Sequence, residues 1–413
     1  MKQSKMTVFV NDLSIRIKRE VNEGNLHVRA TIILSLLMTF STIVLGMFVH
    51  DRIRKFMSLP EDSLFPPLNQ EYSSPSNAYS NFQDGIALSS DSMSSDLSSP
   101  REELTDWITP KEVWHSMSDE ELLWRASSVP HVVEYPYNRT RKLAFMFLTK
   151  GRLPLAALWE RFFKGYEGLY SIYLHTSPEY TYEPPESSVF YKRRIPSQPV
   201  QWGRKTMMDA ERRLLANALL DFSNERFILL SETCIPIFNF TTVYKHLMNS
   251  NQSFLGLFDD PRKRGRGRYN KRMWPTVLLS DWRKGSQWFE AHRRLAVEIV
   301  SDSKYYPVFV EHCKPPCYMD EHYLATLVNI VCPEMTSNWS ITWVDWSRGT
   351  GSHPKTFVGR EISEEFLNRI RHGFNCTYNG RMSTICFLFA RKFHPSALEP
   401  LLKIAPDLLG FNV

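Results

Sequence analysis

The sequence predicts an α/β fold built on a largely parallel sheet covered by helices on both faces. Three runs, KLAFMFLT (142–149), YSIYLHT (170–176) and RFILLSE (226–232), are apolar almost throughout, as strands packed on both faces must be. Helical patterns lie between them, in LPLAALWERFFKGY after the first run and in MMDAERRLLANALLDF (207–222) before the third. Turn signals at Lys150-Gly151 and Ser177-Pro178 close the first two runs. Strands alternating with helices imply parallel pairing, and ligands of such sheets bind at the carboxyl ends of the strands. That rule points to Thr149-Lys150-Gly151, His175-Thr176-Ser177 and Ser231-Glu232-Thr233.

Other elements follow in order. SDEELLWRASSV has an acidic first turn near Ser118 and reads as a helix at the start of the ordered region. VFYKRR (189–194) is a further strand candidate, FTTVYKHLM a helix, FLGLF a strand-like run, and WRKGSQWFEAHRRLAVEIV another helical pattern. The 413 residues carry a net charge of +6, a mild excess that says little about partners at this length.

The amino-terminal region has a different character. TIILSLLMTFSTIVLGMFV (31–49) is uncharged over 19 residues and long enough to span roughly 30 Å of hydrocarbon. It exceeds the ~7–15 residues of a signal peptide's apolar stretch. Six basic residues precede it (Lys2, Lys5, Arg16, Lys18, Arg19, Arg29) and three follow closely (Arg52, Arg54, Lys55), which favours a cytosolic amino terminus. The expected organisation is a cytosolic tail (1–29), a transmembrane helix (30–50), a largely disordered Ser/Pro-rich stem (51–135) and a lumenal domain (136–413). The sequons at Asn138, Asn239, Asn251, Asn338 and Asn375 all lie beyond the apolar run. So do the six cysteines, whose even count permits three disulfides in an oxidising compartment.

No GxGxxG follows a strand, and GxxxxGK[ST], HExxH and GxSxG are missing. Dinucleotide oxidoreductase, P-loop, zincin and serine-hydrolase chemistries lose their main support. CKPPCYMDEHYLATLVNI (313–330) is the most informative segment. Asp320 and Glu321 open its helical pattern, where the dipole alone would favour carboxylates and where one of them could also serve as a general base. Asp259-Asp260 is not a D-x-D; acceptor contact or loop capping suits it better than a metal.

The segment YMDEHYLATL is similar to the D-E-containing segment of the core-2/I-branching β-1,6-N-acetylglucosaminyltransferases (glycosyltransferase family 14), and most like their plant branch, formerly of unknown function. VQWGRKTMMDAERRLLANAL, RFILLSETCIPI and FARKF fall in the same order, so the resemblance covers essentially 142–410. It implies a GT-A-like, Rossmann-type nucleotide-sugar fold, a single-pass type II Golgi protein and a UDP-sugar donor, by resemblance UDP-N-acetylglucosamine. It also implies inverting transfer without a metal or other cofactor. The glutamate of the D-E pair, here Glu321, becomes the catalytic base. Lys392 matches the family's lysine that neutralises the diphosphate, and Arg381 is the best match to its partnering arginine. The animal enzymes hold an aspartate at the end of the second strand where this chain has His175, a departure that bears on base or ribose contacts. Thr149 and Trp202, with Lys205 nearby, belong to the same donor-side expectation. Trp343, Asp345 and Trp346 resemble the acceptor-facing loop, where a flat ring packs on a sugar and a carboxylate bonds hydroxyls. Asp320, Asp259 and Asp260 are placed on the acceptor side as well.

From Arg262 to Arg272, seven of eleven residues are basic. Such a run usually suggests nucleic acid, but beyond a membrane helix that is not the expected partner. The alternatives are a solvated loop and contact with an acidic glycan or glycoprotein acceptor through Arg264, Arg266 and Arg268. Two other readings stay open. One keeps the fold with another donor, such as UDP-glucuronic acid or UDP-xylose in wall glycan synthesis; the other is a non-catalytic glycan-binding membrane protein. Oligomeric state is not readable from the sequence.

Overall fold

The computed structural model describes residues 108–132, 134–347 and 353–411. The apolar run at 31–49, the cytosolic tail and most of the expected stem lie outside the described residues. No helix among the described residues is long and apolar enough to cross a membrane.

The central sheet has the order β2-β1-β3-β5. Strands β1 (Lys142–Leu148), β2 (Tyr170–His175) and β3 (Asn224–Ser231) are parallel, and β5 (Glu290–His292) closes the edge antiparallel to β3. In β1 the period of two sorts the side chains between two cores. Ala144, Met146 and Leu148 face one; Leu143, Phe145 and Phe147 face the other. Both faces are covered, which is why the run reads as continuously apolar. The first core packs against α3 (Lys205–Leu219), α5 (Arg293–Ser301) and α7 (Met319–Val331). The second packs against α2 (Ala156–Phe163), α4 (Phe240–Met248) and α9 (Leu398–Ile404), and its centre is aromatic. Trp159 meets Phe147 edge-on at 5.1 Å and lies stacked 5.7 Å from Phe163, while its Nε1 donates to the Cys234 carbonyl at 3.2 Å.

A smaller sheet, β4-β9-β6, joins β4 (Ile235–Pro236), β9 (Phe389–Arg391) and β6 (Thr342–Val344). It follows directly from the end of β3, so the carboxyl edge of the main sheet and the end of β9 share one region. A hairpin of β7 (Cys376–Tyr378) and β8 (Arg381–Ser383) stands apart from it, after α8 (Glu364–His372). The remaining helix, α6 (Tyr305–His312), precedes α7.

Four expectations need correction. VFYKRR forms turns and, among the described residues, pairs with the sheet by a single Leu174–Arg194 bridge, while Phe190 packs edge-on against Phe147; Lys192 at φ 52° is incompatible with a continuous strand. FLGLF likewise makes only isolated bridges, Phe254–Glu290 and Phe258–Lys284. The span read as stem contains folded structure. Helix α1 (Asp119–Ser127) begins in a Ser118–Glu121 capping box and buries Leu122 and Ala126 in the first core, and Asp119 forms a two-pronged pair with Arg213 of α3. Finally, the cysteines form two disulfides, Cys313–Cys317 and Cys376–Cys386. Cys234 and Cys332 stay free because they are buried in different cores on opposite faces of the sheet.

Buried arginines hold the sheet ends. Arg293 donates to the carbonyls of Leu219, Asp221 and Asn224, satisfying acceptors at the end of α3. Arg226 in β3 pairs with Glu290 of β5 at 2.7 Å and donates to the Gln252 carbonyl at 2.8 Å, both charged side chains being fully buried. Removing one partner leaves the other charge uncompensated. Arg226→Met is expected to cost about 3–5 kcal/mol in denaturant unfolding, and adding Glu290→Met should recover much of it.

Candidate active site

The three parallel strands end on one edge. Thr149 closes its own loop there: its Oγ1 donates to the Gly151 carbonyl at 2.6 Å and accepts the Gly151 N–H at 3.0 Å. His175 ends β2 fully buried. Its Nε2 accepts from Arg213 Nη1 at 2.8 Å, so the proton sits on Nδ1, which has no partner among the described residues. Burial, then the Arg213 charge, push His175 down to about 3, and the ring is neutral. It is locked among protein groups rather than open to a ribose.

Across the edge, α7 opens with Tyr318, Asp320 and Glu321. Glu321 accepts from Lys284 Nζ at 2.5 Å and from Arg268 Nη1 on the same oxygen. Burial works against the ionised form, but Lys284 and then Arg268 outweigh it and hold the carboxyl below its ordinary value. The Lys284 segment is latched onto α7 on two sides. Gly285 N donates to the Glu321 carbonyl at 2.7 Å, and His322 Nδ1 donates to the Arg283 carbonyl at 2.8 Å. A side chain at Gly285 would lie 2.6 Å from the Gly256 carbonyl, so only glycine fits that crossing.

Asp320 turns inward. One of its oxygens is buried without a hydrogen-bond donor, as is one of Glu211 on α3. Burial, then the Glu321 charge, push Asp320 up to about 6. Burial, then Asp320, push Glu211 well above the usual range, and Gln287 donates to its other oxygen at 2.9 Å. Two adjacent carboxyls on one helix therefore diverge: Glu321 ionised and half-open, Asp320 buried beside an acid that keeps its proton.

A row of aromatic groups runs from Glu321 toward β9. The Arg268 guanidinium lies 4.6 Å over the Tyr318 ring, Trp202 stands 5.2 Å from Tyr318, and His353 stands 5.4 Å from Trp202. Burial, then the charges of Lys392 and Arg391, lower the basicity of His353. At the end of β9, Arg391 packs 4.2 Å over the Trp288 ring. Burial, then Arg391, depress the Lys392 ammonium, with Glu232 opposing and Lys150 adding repulsion. A chain of ring contacts thus leads from the Arg268 partner of Glu321 to His353, which feels the Lys392 charge, and Trp202 in its middle is 53% exposed.

The other expected residues are placed differently. Asp259 forms a two-pronged pair with Arg266 (2.7 and 2.6 Å) and Asp260 one with Arg262 (2.8 and 3.0 Å), so both carboxylates close the basic loop on itself. Trp343 packs inward against Phe357 at 5.8 Å and Phe366 at 6.1 Å, whereas Trp346 is exposed. The Asp345 carboxylate accepts the Ser347 N–H at 2.8 Å. Arg381 does not join Lys392. It is exposed on the β7–β8 hairpin, whose Asn379 bonds Asn249 and Asn251 next to the residues that hold Arg226, at the amino end of β3. Phe393, beside Lys392, bonds Thr233 at the carboxyl end. The cation next to Lys392 is Arg391, whose only sequence signal was adjacency. Lys284 and Tyr318 carried no signal at all.

The sequons differ too. Asn138, Asn251, Asn338 and Asn375 are exposed, while Asn239 caps α4 by accepting the Thr242 N–H at 2.9 Å.

The family model described as Branch: Core-2/I-Branching enzyme matches residues 143–371, more than half of the chain and all of this site except the β9 cations. The chain belongs to that family. It is 35% identical over 309 residues to "Glycosyltransferase BC10" of Oryza sativa subsp. japonica, an alignment covering 64% of this chain and 76% of the relative. This branching-family member is accordingly a glycosyltransferase, and the α/β sheet expected of one is present. The hairpin with Arg381, strand β9 and Lys392 just after it lie beyond the matched region.

Asp320 supplies a pH test. Its folded value of about 6 exceeds the ordinary 3.8, so the folded state binds more protons between the two. This carboxyl favours folding fully below about pH 4 and loses that contribution as pH rises through about 6. Asp320→Asn should therefore gain stability relative to the parent as pH goes from about 4 to 7, read as a growing difference in melting temperature. A constant difference would mean that Asp320 ionises normally.

Proposed function

We propose that the protein is an inverting, metal-independent glycosyltransferase that moves a sugar, by resemblance N-acetylglucosamine, from a UDP-sugar to a hydroxyl of a glycan or glycoprotein. The observation that supports this is the pairing of one ionised, half-open carboxylate, Glu321, with the Arg391–Lys392 cations along a chain of ring contacts. Single displacement needs one base for the acceptor hydroxyl and no second catalytic carboxylate, because no covalent glycosyl-enzyme forms. As the acceptor oxygen bonds to the anomeric carbon, its proton passes to a Glu321 oxygen and the bond to the diphosphate breaks. The leaving group carries away the electron pair as negative charge, which Lys392 and Arg391 meet.

Arg268 and Lys284 lower the basicity of Glu321, so proton transfer falls late, when the acceptor oxygen is already acidified by bond formation. They also keep the base ionised at neutral pH and fix its direction. Fixed cations supply the charge that a divalent ion supplies elsewhere. Asp259 and Asp260, the nearest approach to a metal motif, are committed to arginines. Trp202 and Trp346 offer exposed rings for sugar faces.

The enzyme is placed in the Golgi membrane as a single-pass type II protein with this domain in the lumen. The uncharged run at 31–49 and the downstream sequons support that placement, and the disulfides Cys313–Cys317 and Cys376–Cys386 suit an oxidising compartment.

Glu321→Gln should lower transfer by ~10²–10⁴-fold while UDP binding, measured by calorimetry, is kept. Unchanged transfer would remove Glu321 from the chemistry and favour a glycan-binding role. With a panel of UDP-sugars, turnover should persist in EDTA; chelator-sensitive turnover would refute the metal-free mechanism, and the preferred donor would name the sugar.

A further inference from the structure

The basic loop is an ordered rim of the site. Gly265 is buried where a Cβ would lie 2.2 Å from the Asp260 carbonyl, and its own carbonyl accepts from Trp282 Nε1 at 3.1 Å. Trp282 in turn stacks on His322 of α7 at 4.6 Å. Further along, Tyr269 donates to the Val277 carbonyl at 2.8 Å, Asn270 to the His312 carbonyl at 3.0 Å, and Met273 is buried. The loop therefore presents its cations from a fixed frame attached to the helix that carries Glu321.

Its charges are unevenly spent. Asp259 and Asp260 neutralise Arg266 and Arg262, and Arg268 turns inward to Glu321. Lys263, Arg264, Lys271 and Arg272 remain exposed, with no ion pair among the described residues. Trp274, two residues past Arg272, is 68% exposed. Free cations beside an outward-facing indole match the chemistry of a sugar bearing a carboxylate: the ring face stacks and the acid pairs.

We propose that this rim binds an acidic glycan, with Lys263, Arg264, Lys271 and Arg272 on its carboxylates and Trp274 on a sugar face, so that the acceptor class includes uronic-acid-bearing chains. The inference rests on the transferase reading, since Arg268 of the same loop ends at the base. An isolated surface pair contributes little, but four cations on one rigid rim add a salt-sensitive attraction.

The test uses the purified chain and an oligogalacturonate probe, titrated by calorimetry at low and high salt. A neutral glucan oligomer, poly-glutamate and a single-stranded oligonucleotide of matched charge serve as comparisons. The parent should bind oligogalacturonate at least about tenfold more tightly than each comparison, with affinity falling as salt rises. The combined variant Lys263→Glu, Arg264→Glu, Lys271→Glu and Arg272→Glu should lose about tenfold or more of it while keeping its melting temperature and UDP binding. Trp274→Ala, which alters no charge, should weaken the same binding several-fold. Equal binding of poly-glutamate or the oligonucleotide, or an undiminished affinity in both variants, overturns the proposal. Glu321→Gln keeps the two readings apart, because it should abolish transfer yet leave oligogalacturonate binding intact.

Discussion

A carboxylate held between two cations organises the site. Glu321 could not stay ionised in so buried a position without Lys284 and Arg268, because desolvation alone would drive its proton on. Each cation arrives from a different segment, and each segment is anchored to the same helix. Lys284 comes with a crossing that needs glycine at 285, and Arg268 with a loop seated on Trp282. The base, its cations and the rim above it therefore form one mechanical unit. A shift of α7 would move all of them together.

The second cationic group has a different origin. Arg391 and Lys392 lie at the end of a short strand that pairs with residues just past the end of β3. Burial depresses both groups, and the Arg391 charge depresses Lys392 further, so a diphosphate placed beside them would offset that cost. The protein thus links opposite charges by a chain of ring contacts rather than letting them collapse into one ion pair. Tyr318, Trp202 and His353 form that chain.

Asp320 and Glu321 show how tertiary environment divides neighbours. Both sit in the first turn of one helix, and a dipole argument treats them alike. One meets two cations and partial solvent; the other meets a buried acid from α3 and leaves one oxygen without a donor. The resulting difference in proton affinity is of the kind that separates roles in acid–base sites.

Local sequence sufficed for the α/β class, for the three parallel strands, for most of the helices and for the D-E pair at the head of α7. Apolar continuity and helical periodicity are properties of neighbouring residues, and burial on both faces of a strand leaves that mark directly. It also showed a basic loop, though not which of its charges were free. Tertiary structure alone decided that VFYKRR would turn rather than pair, that Cys234 and Cys332 would be parted by the sheet, and that Arg381 would sit at the far end of β3 from Lys392. It alone brought Lys284, 37 residues away in the chain, against Glu321. Charge pairing across such separations depends on where loops cross in space, and no periodicity in the chain encodes that.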